Sequence, residues 1–276
     1  MNNVAHLICS KNFSGIEQHV HELTLTLANN SDYDLYVFAD RKLEPHFQNH
    51  RFQVFPNKFR FNLFAIFKLR KLIKDHEIQI LHCHGSKSIL LGRWVSWITR
   101  VELIATVHAN KKRPVATNGF RKTIVVNELL KKTYPAAEVI GNWVNPKLEI
   151  LNSSRDEKFI AVGRLEKIKR FDLLIHAWKG IDEKLEIIGD GLEKNNLLAI
   201  IKDNNLADQI TIRSEVNSQE LGNIYRRAKG LIITSSREGG PRVALEAAAF
   251  NLPVFGTNVG VMGELFPQEL LADPNN

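Results

Sequence analysis

The stretch KFIAVGRLEKIKRFDLLIHA, residues 158–177, decides the fold of this chain. A short apolar run ends at Gly163, a basic segment follows, and apolar residues then recur at helical spacing. The same alternation continues through KLEIIG, QITIRS, GLIITSS and PVFGT, with a predicted helix between each pair of runs. This pattern is typical of a parallel β-sheet that is covered by helices.

The first half of the chain shows the same alternation. Its predicted strands are VAHLIC, DLYVFA, RFQVFP, IQILHCH, VELIATVH, TIVVN and AEVIG. The first helix begins at Gly15 and carries one apolar stripe, formed by Ile16, Val20, Leu23 and Leu27. The stretch NWVNPKLEILNSSRDE between the two series resembles a linker. We therefore predict two doubly wound α/β domains, residues 1–148 and 149–276.

Composition favours a globular protein. The chain has 276 residues, 44% of them hydrophobic, and a mean hydropathy of −0.18. Its apolar runs fall short of the roughly 20 residues that span a bilayer, and its N-terminus lacks a signal-peptide pattern, so we expect a cytoplasmic location. Cys9 and Cys83 lie inside apolar runs, which predicts reduced, buried thiols and not a disulfide.

Charge is distributed unevenly along the chain. Residues 1–150 hold 21 Lys and Arg against 12 Asp and Glu, whereas the remainder holds 16 against 18. A basic surface attracts nucleic acid, anionic lipid or phosphorylated small molecules, and charge alone does not choose among them. The sequence shows no recognisable nucleic-acid-binding module, so we predict no nucleic-acid partner.

Ligands of doubly wound sheets bind outside the carboxyl ends of the strands. After KFIAVG, the chain places four cations just before a helix: Arg164, Lys167, Lys169 and Arg170. Cations at this position can bind a diphosphate. A solvated loop whose charges only favour solubility is the alternative.

A second strand-end loop lies in SSREGGPRVALEAAAF, residues 235–250. Pro241 suits the first position of a helix, and Gly239 and Gly240 allow the backbone to approach a ligand closely. We therefore predict a helix that begins at Pro241. Its first N–H groups, including those of Arg242 and Val243, and the positive end of its dipole would form a phosphate site.

Two acids, Glu238 and Glu246, flank this predicted phosphate site. A carboxylate can accept two hydrogen bonds from a vicinal diol, so the pair can hold the two sugars on either side of a diphosphate. Alternatively, Glu246 forms an i,i+4 ion pair with Arg242, worth about 0.3–0.5 kcal/mol, and Glu238 interacts favourably with the helix dipole. The residues alone leave both interpretations open.

A family resemblance favours the first interpretation. AVGRLEKIKRFDLLIHA, LEIIGDG, SSREGGPRVALEAAAFNLPVFGTNVG and GEL resemble, in order and spacing, the donor-binding half of glycosyltransferase family 4. The first half resembles the family more loosely, through SGIEQHVHEL, ILHCHGSKS, ATVHA and IVVNELLKKTY. The resemblance implies GT-B architecture, in which two Rossmann-like domains face a cleft.

The resemblance also implies an activity: transfer of a sugar from a UDP-, GDP- or other nucleotide sugar, with retention of configuration and without a metal. The implied acceptor is a surface glycan or a lipid-linked molecule, as in bacterial lipopolysaccharide or capsule synthesis. Its implied catalytic residues are Arg164 and Lys169 on the diphosphate, Glu238 on the donor sugar and His108 near the reacting sugar. Glu246 matches the acid that holds the ribose.

The remaining implied site residues fall into two groups. The donor-binding group comprises Gly15 in a loop near the phosphate, Arg213, Glu215 and Val216 along the base, and Gly239, Gly240, Arg242 and Val243 at the phosphate. The acceptor-side group comprises His84 and Gly85.

Two further patterns resemble metal sites. Asp32 and Asp34 have the spacing of a carboxylate pair that holds a cation, but carboxylates at a strand start are usually turn residues. His82 and His84 lie on one side of a predicted strand and would form half a metal site. No obvious third ligand accompanies them, so we favour hydrogen-bonded histidines and predict no metal.

The stretch NKFRFNLFAIFKLRKLIKDHE, residues 57–77, mixes large apolar residues with six Lys or Arg. A basic amphipathic helix can lie on an anionic membrane. The alternative is a helix that packs on the core and keeps a solvated basic face. Liposome binding with and without anionic lipid would separate the two.

The chain departs from the family in two places. Only 13 residues, Asn110 to Lys122, separate LIATVHA from TIVVN, where relatives carry a longer segment on the acceptor side. The sequence also ends at Asn276, where relatives continue into C-terminal helices, so it is either a compact variant or cut short. A nucleotide-sugar 2-epimerase and a catalytically silent nucleotide-sugar binding protein are therefore kept as alternatives.

Overall fold

A computed structural model describes residues 2–10, 12–28, 32–48, 51–56, 63–109, 113–143 and 158–274. The chain divides into two compact units, Met1–Asn142 and Trp143–Asn276. Each contains one parallel sheet with helices, which confirms the predicted fold class. The predicted boundary between residues 148 and 149 lies outside the described residues.

The sheet of the first unit has seven described strands. They are β1 Asn2–Ile8, β2 Tyr33–Ala39, β3 Arg51–Val54, β4 Ile80–His84, β5 Glu102–Val107, β6 Lys122–Val125 and β7 Glu138–Val139. Their order is β3-β2-β1-β4-β5-β6-β7, and every pair is parallel. The α-helices are α1 Gly15–Leu27, α2 Leu63–Asp75, α3 Gly85–Ser96 and α4 Glu128–Lys131, and a 3-10 helix covers Arg41–His46. All seven predicted strands are confirmed.

The second unit repeats the arrangement with six described strands. They are β8 Phe159–Val162, β9 Leu185–Ile188, β10 Ile210–Arg213, β11 Gly230–Ile233, β12 Val254–Thr257 and β13 Leu271–Ala272, in the order β10-β9-β8-β11-β12-β13. Its helices are α5 Phe171–Ala177, α6 Lys194–Asp203, α7 Ser218–Arg227, α8 Arg242–Ala249 and α9 Met262–Leu265, with 3-10 turns at Lys167–Lys169 and Gln268–Leu270. The sequence does not predict β13, because two residues carry no periodicity.

The strand order determines where ligands can bind in each unit. In the first sheet, the connections run in opposite directions from the neighbouring strands β1 and β4. In the second sheet, β8 and β11 have the same relationship. Such switch points leave a crevice at the carboxyl ends of the two strands, where open α/β sheets bind their ligands. A ligand site is therefore expected in the loops that follow these four strands.

The two cysteines lie in the core of the first unit. Both Cys9 and Cys83 are buried free thiols, as predicted. Burial raises the pKa of Cys9 to about 11 and raises that of Cys83 well above its ordinary value. Gly92 packs directly on Cys83, since a Cβ at Gly92 would lie 2.4 Å from the Cys83 sulfur. Both thiols are therefore protonated and sequestered at neutral pH.

Helix α2 both packs on the core and exposes apolar side chains. Ala65, Ile66, Leu69, Leu72 and Ile73 are buried, which agrees with a core-packed helix. On the other face, however, Phe64 is 67% exposed and Phe67 is 59% exposed, and Leu63 is exposed as well. Residues 57–62 of the predicted basic stretch lie outside the described residues. Throughout the described ranges, no helix has the length and apolarity needed to cross a membrane.

Candidate active site

The two loops at the switch point of the second unit are bonded to each other. The loop after β11 donates to the loop after β8 at two places: Ser236 N lies 2.9 Å from Ile168 O, and Thr234 Oγ1 lies 2.8 Å from Lys169 O. These contacts fix the 3-10 turn Lys167–Lys169 against the segment that precedes α8. The predicted diphosphate-binding and sugar-binding residues are thereby brought to one edge of the sheet.

Lys169 and Glu238 form the central contact at this edge. Lys169 Nζ lies 2.5 Å from Glu238 Oε1, and the side chains are 20% and 17% exposed. Ser235 Oγ donates to the same carboxylate oxygen over 2.8 Å. A charge-assisted hydrogen bond of this kind holds both groups in a defined orientation. The ammonium therefore lies against a carboxylate of the loop that leads into α8.

The other cations of the loop after β8 have different surroundings. The side chain of Arg164 is 54% exposed and pairs with Glu166 over 2.8 Å. Such a surface pair is worth about 0–1 kcal/mol, so Arg164 can leave Glu166 for an anionic ligand at little cost. Arg170 instead donates to the backbone carbonyl of Pro274, so its guanidinium has a structural role.

Helix α8 begins one residue later than predicted. Its first residue is Arg242, and Pro241 is the N-cap with φ −66° and ψ 105°. The prediction that the helix begins at Pro241 is wrong, because this ψ is extended and proline fixes only φ. The first N–H groups of any helix lack intrahelical acceptors, and the positive end of its dipole lies with them. The positive end of the α8 dipole therefore lies at the end of the helix that follows the Glu238–Pro241 loop.

Glu246 is positioned by two neighbours. Tyr225 donates its hydroxyl to Glu246 Oε2 over 3.0 Å, and Arg242 Nε lies 3.9 Å from Glu246 Oε1. The i,i+4 ion pair expected as the alternative role of Glu246 is therefore present, although the separation is long. Tyr225 is buried, and this burial raises its pKa well above the ordinary value. The phenol consequently remains a donor that aims the carboxylate.

A glycine that the sequence patterns do not single out supports the Gly239–Gly240 segment. Gly260, after β12, has φ +60°, and a Cβ there would lie 2.4 Å from Gly239 O and 3.1 Å from Glu238 O. Thr257 Oγ1 also donates to Ser235 O over 2.6 Å. Backbone contacts of this kind leave room for glycine only. The loop after β12 therefore fixes the position of the Gly239–Gly240 backbone.

The predicted base-side segment lies after β10. Glu215 N donates to Asp190 Oδ2 over 2.9 Å, and Lys194 Nζ lies 3.0 Å from Asp190 Oδ1. These two contacts lower the pKa of Asp190, with the backbone bond as the larger cause. Arg213 pairs with Glu220, and Val216 is half-buried against the apolar core. Sequence reasoning missed Asp190, although it lies in the motif LEIIGDG.

In the first unit, Gly15 and Gly85 lie after the switch-point strands β1 and β4, whereas His84 ends β4 and His108 follows β5. Gly15 is the first residue of α1, as predicted, and Gly85 is the first residue of α3 with φ +77°. Glu17 is a polar residue that sequence reasoning missed: it is buried and accepts from Ser14 N over 2.9 Å. This contact fixes the start of α1.

His84 and His108 lie within a group of five histidines, which we call the histidine cluster: His6, His19, His82, His84 and His108. His84 Nδ1 lies 3.4 Å from His108 Nε2, and His84 Nε2 lies 3.1 Å from His6 Nδ1. The His19 ring is 4.7 Å from the His108 ring, measured between centroids. All are buried except His108, which is half-buried.

Burial shifts the pKa values of two members of this cluster. It lowers the pKa values of His82 and His84 well below the ordinary value, and the neighbouring histidines lower them further. His82 Nε2 contacts Thr106 Oγ1 over 2.7 Å, which agrees with the prediction of a hydrogen-bonded histidine. The expectation that no further ligand accompanies His82 and His84 is wrong, because His6, His19 and His108 also lie here.

Of the two aspartates Asp32 and Asp34, whose spacing resembles a carboxylate pair that holds a cation, Asp34 forms an ion pair with Arg51 over 3.0 Å.

Comparison with known proteins finds relatives for both halves of the chain. The family model described as "Glycosyl transferases group 1" matches residues 147–276, and that described as "Glycosyltransferase Family 4" matches residues 13–140. An uncharacterized glycosyltransferase of Methanocaldococcus jannaschii is 29% identical over 95% of this chain and 81% of its own length. The amylovoran biosynthesis glycosyltransferase AmsD of Erwinia amylovora is 26% identical over 87% of this chain and 76% of its own length.

A solved structure shows the same fold. The crystal structure of Anabaena HepE in complex with UDP-glucose has a TM-score of 0.83 at 17% identity, and the match covers 99% of this chain and 86% of that chain. The two sheets and their helices therefore have the GT-B architecture. With both halves matched by family models, the chain belongs to glycosyltransferase family 4 and is a glycosyltransferase.

Proposed function

We propose that this glycosyltransferase moves a sugar from a nucleotide diphosphate sugar to a surface-glycan or lipid-linked acceptor, with retention of configuration. The observation that carries the proposal is the contact of Lys169 with Glu238 beside the start of α8. A cation, a helix dipole and a sugar-binding acid are thereby assembled at the switch point of one sheet. The resemblance of this segment to family 4 and the UDP-glucose bound to HepE support the donor class.

The proposed catalysis is electrostatic. When the bond between the sugar and the diphosphate breaks, positive charge develops on the sugar and negative charge on the departing phosphate. Fixed charges and dipoles aimed at that phosphate stabilise the transition state. Lys169, the exposed guanidinium of Arg164 and the N–H groups at the start of α8 supply this stabilisation.

The two flanking acids hold the sugars on either side of the diphosphate. Glu238 accepts hydrogen bonds from hydroxyl groups of the transferred sugar, and Glu246 accepts them from the ribose. Glu246 is already oriented by Tyr225, and Glu238 by Ser235. The segment of Arg213, Glu215 and Val216 contacts the base, held in place by the bond from Glu215 N to Asp190.

In the first unit, His108 is the residue proposed to meet the reacting sugar. It is half-buried, whereas His84 is 3% exposed. His84 therefore acts as a positioning residue through its 3.4 Å contact with His108. Gly15 and Gly85 let the backbone at the starts of α1 and α3 approach the donor phosphate and the acceptor, respectively.

A thermal-shift panel of UDP-, GDP-, ADP- and CDP-sugars tests the donor class. A ligand at about 100 times its dissociation constant stabilises the folded protein by roughly 2.7 kcal/mol, so the true nucleotide should raise Tm more than the others. The Glu246→Ala variant should lose most of the shift. The proposal is contradicted if no nucleotide sugar raises Tm, or if the shift is unchanged in Glu246→Ala.

Product analysis with the selected donor separates transfer from the alternatives. Transfer to an acceptor glycan gives a new α- or β-linked product, whose anomeric configuration in the NMR spectrum should equal that of the donor. Release of an epimerised free sugar would identify an epimerase. Binding without turnover of any acceptor would identify a silent binding protein.

For the acceptor, we propose a molecule presented at an anionic membrane surface, with the protein bound there peripherally. The exposed side chains Phe64 and Phe67 occupy the same helix as Lys68, Lys71 and Lys74. Apolar side chains that insert between lipids, next to cations that contact anionic headgroups, are typical of interfacial helices. The name of the Erwinia relative, which refers to amylovoran biosynthesis, supports glycan assembly.

Flotation with vesicles tests this surface. The protein should float with vesicles containing anionic lipid at low salt, and less so at high salt, because screening weakens the attraction. The double variant Phe64→Ser, Phe67→Ser should lose binding, whereas Trp97→Ser, at an exposed position after α3, should retain it. Absence of flotation even at low salt would exclude the membrane proposal and leave the donor proposal intact.

A further inference from the structure

We propose that His19, His84 and His108 form a binding site for a divalent transition-metal ion of the zinc class. The site lies in the first unit, apart from the diphosphate-binding residues proposed for the second. It includes His108, so a bound ion would occupy the imidazole that is proposed above to meet the reacting sugar. One nitrogen from each of the three rings lies within 4.8 Å of the others. The three ligands come from helix α1, the end of β4 and the segment after β5, so the fold itself brings them together.

The separation between two of the ligands fits a shared ion. His84 Nδ1 and His108 Nε2 are 3.4 Å apart. A zinc–imidazole bond is about 2.0–2.1 Å long, and two ligands of a tetrahedral ion are then about 3.4 Å apart. A direct hydrogen bond between nitrogen atoms would be shorter, at about 2.9–3.0 Å, by analogy with N–H···O bonds. The pair is thus already at the spacing that an ion requires.

The ring of the third ligand, His19, lies beside the other two. The centroid of the His19 ring is 4.7 Å from that of His108 and 5.8 Å from that of His84. Its ligand nitrogen lies within 4.8 Å of the ligand nitrogens of both other rings. Imidazole nitrogen is a preferred ligand of zinc and of its first-row neighbours, including cobalt.

The surroundings of His84 match those of a metal-bound imidazole. Its other nitrogen, Nε2, lies 3.1 Å from His6 Nδ1. Metal-bound histidines usually donate their second N–H to an acceptor, which fixes the ring and its tautomer. His6 can serve as that acceptor.

A second trio in the cluster, His6, His82 and His84, is less suitable. All three are buried, and His82 Nε2 is engaged with Thr106 over 2.7 Å. The trio with His108 differs because His108 is half-buried, which gives an ion a route of entry. Three imidazoles with one coordination position left open is the arrangement of zinc sites that bind water or a substrate oxygen.

Cobalt(II) provides a direct optical test on the full chain after treatment with a chelator. Titration with Co²⁺ should give one equivalent of visible ligand-field absorption of the tetrahedral or five-coordinate type, and Zn²⁺ should abolish it. His19→Ala and His108→Gln should each weaken Co²⁺ binding at least tenfold. Because His108 is half-buried, His108→Gln should fold even if His19→Ala does not.

Two control variants make the test decisive. His176→Ala removes an exposed histidine of the second unit and should leave the Co²⁺ titration unchanged. His82→Asn alters only the other trio and should also retain binding. The proposal is overturned if no ligand-field band appears, if His108→Gln binds Co²⁺ as tightly as the parent chain, or if binding is lost in His82→Asn and kept in His108→Gln.

Discussion

The ammonium group of Lys169 lies 2.5 Å from the carboxylate of Glu238, although 69 residues separate them in the sequence. The contact joins the loops that leave β8 and β11, the two strands at the switch point of the second sheet. An arriving diphosphate would therefore meet a cation whose direction is already fixed. It would also compete with Glu238 for that cation, which would free the carboxylate to accept hydrogen bonds from the transferred sugar.

Removing either proposed diphosphate cation should impair transfer strongly. Arg164→Ala and Lys169→Ala should each lower kcat by roughly 100-fold or more, the order found when one transition-state donor is removed. Steady-state kinetics with a saturating donor sugar measures this. Lys179→Ala, which removes an exposed lysine after α5, is the matched control and should keep normal turnover. Near-normal kcat in both test variants would refute the assignment of these cations.

Tyr225→Phe should weaken donor binding without abolishing chemistry. The variant removes the 3.0 Å hydrogen bond to Glu246, the acid proposed to hold the ribose. A lost hydrogen bond to a charged group costs about 1.5–3 kcal/mol. If that energy is lost from donor binding, the donor KM should rise roughly tenfold or more, with kcat nearly unchanged. Tyr134→Phe is the control, since Tyr134 contacts Val115 N in the first unit. An unchanged donor KM in Tyr225→Phe would mean that Glu246 needs no such orientation.

Gly260→Ala should disturb the Gly239–Gly240 segment. The added Cβ would lie 2.4 Å from Gly239 O, so the backbone must shift, and the φ of +60° adds strain. Calorimetric titration should show donor affinity reduced by at least tenfold. The free energy of unfolding should fall by about 1–3 kcal/mol, which a lower Tm would report.

Gly180→Ala separates the effect of close contact from that of backbone strain. Gly180 has φ +81°, but a Cβ added there would meet nothing within 4 Å, so its substitution costs about 1–2 kcal/mol by strain alone. Donor affinity should then remain normal. If Gly180→Ala and Gly260→Ala weaken donor binding equally, the contact with Gly239 is not what positions the segment.

Stability should fall below about pH 6.5 because of the histidine cluster. The folded-state pKa values of His82 and His84 are lowered by burial, so the unfolded chain binds protons more readily. The free energy of unfolding should rise with pH up to about 6.5 and then level off, with a slope of about 1.4 kcal/mol per pH unit for each such histidine.

Urea unfolding between about pH 5.5 and 7.5 measures this slope, because the range brackets the ordinary histidine pKa. His82→Gln should remove one histidine's share, whereas His176→Gln, at an exposed position, should leave the slope as in the parent chain. Equal slopes in all three proteins would show that His82 is not held neutral in the folded state.

The architecture can be predicted from the sequence because each strand and each helix leaves a local pattern of apolar residues. Each buried parallel strand is a short apolar run, and each helix carries an apolar stripe, so twelve of the thirteen described strands are predicted. The exception, β13, has two residues. Helix α8 starts one residue later than predicted, because the sequence shows a proline but not its ψ of 105°. Boundaries of this kind depend on the cap geometry.

The site is only partly accessible, for a different reason. Lys169 and Glu238 are identified from the sequence because each lies in a motif that resembles the family. Tyr225 and His6 lie outside the quoted motifs. Gly260 and His19 lie inside them, but the motifs do not reveal their contacts, because those contacts are made between distant segments. His6 meets His82 through the register of β1 against β4, in which the two residues lie opposite each other. Pairing register is a property of the folded sheet and is not encoded in either strand alone.

The sequestered thiols of Cys9 and Cys83 give this chain a practical advantage for spectroscopy. Maleimide reagents require an accessible thiolate, and neither native cysteine provides one at neutral pH, because burial raises both pKa values. Cysteines introduced at exposed positions in the two units, for example Lys74→Cys and Lys179→Cys, would therefore be modified selectively without deleting the native pair. Spin labels or fluorophores attached there can report how each unit responds when a nucleotide sugar binds.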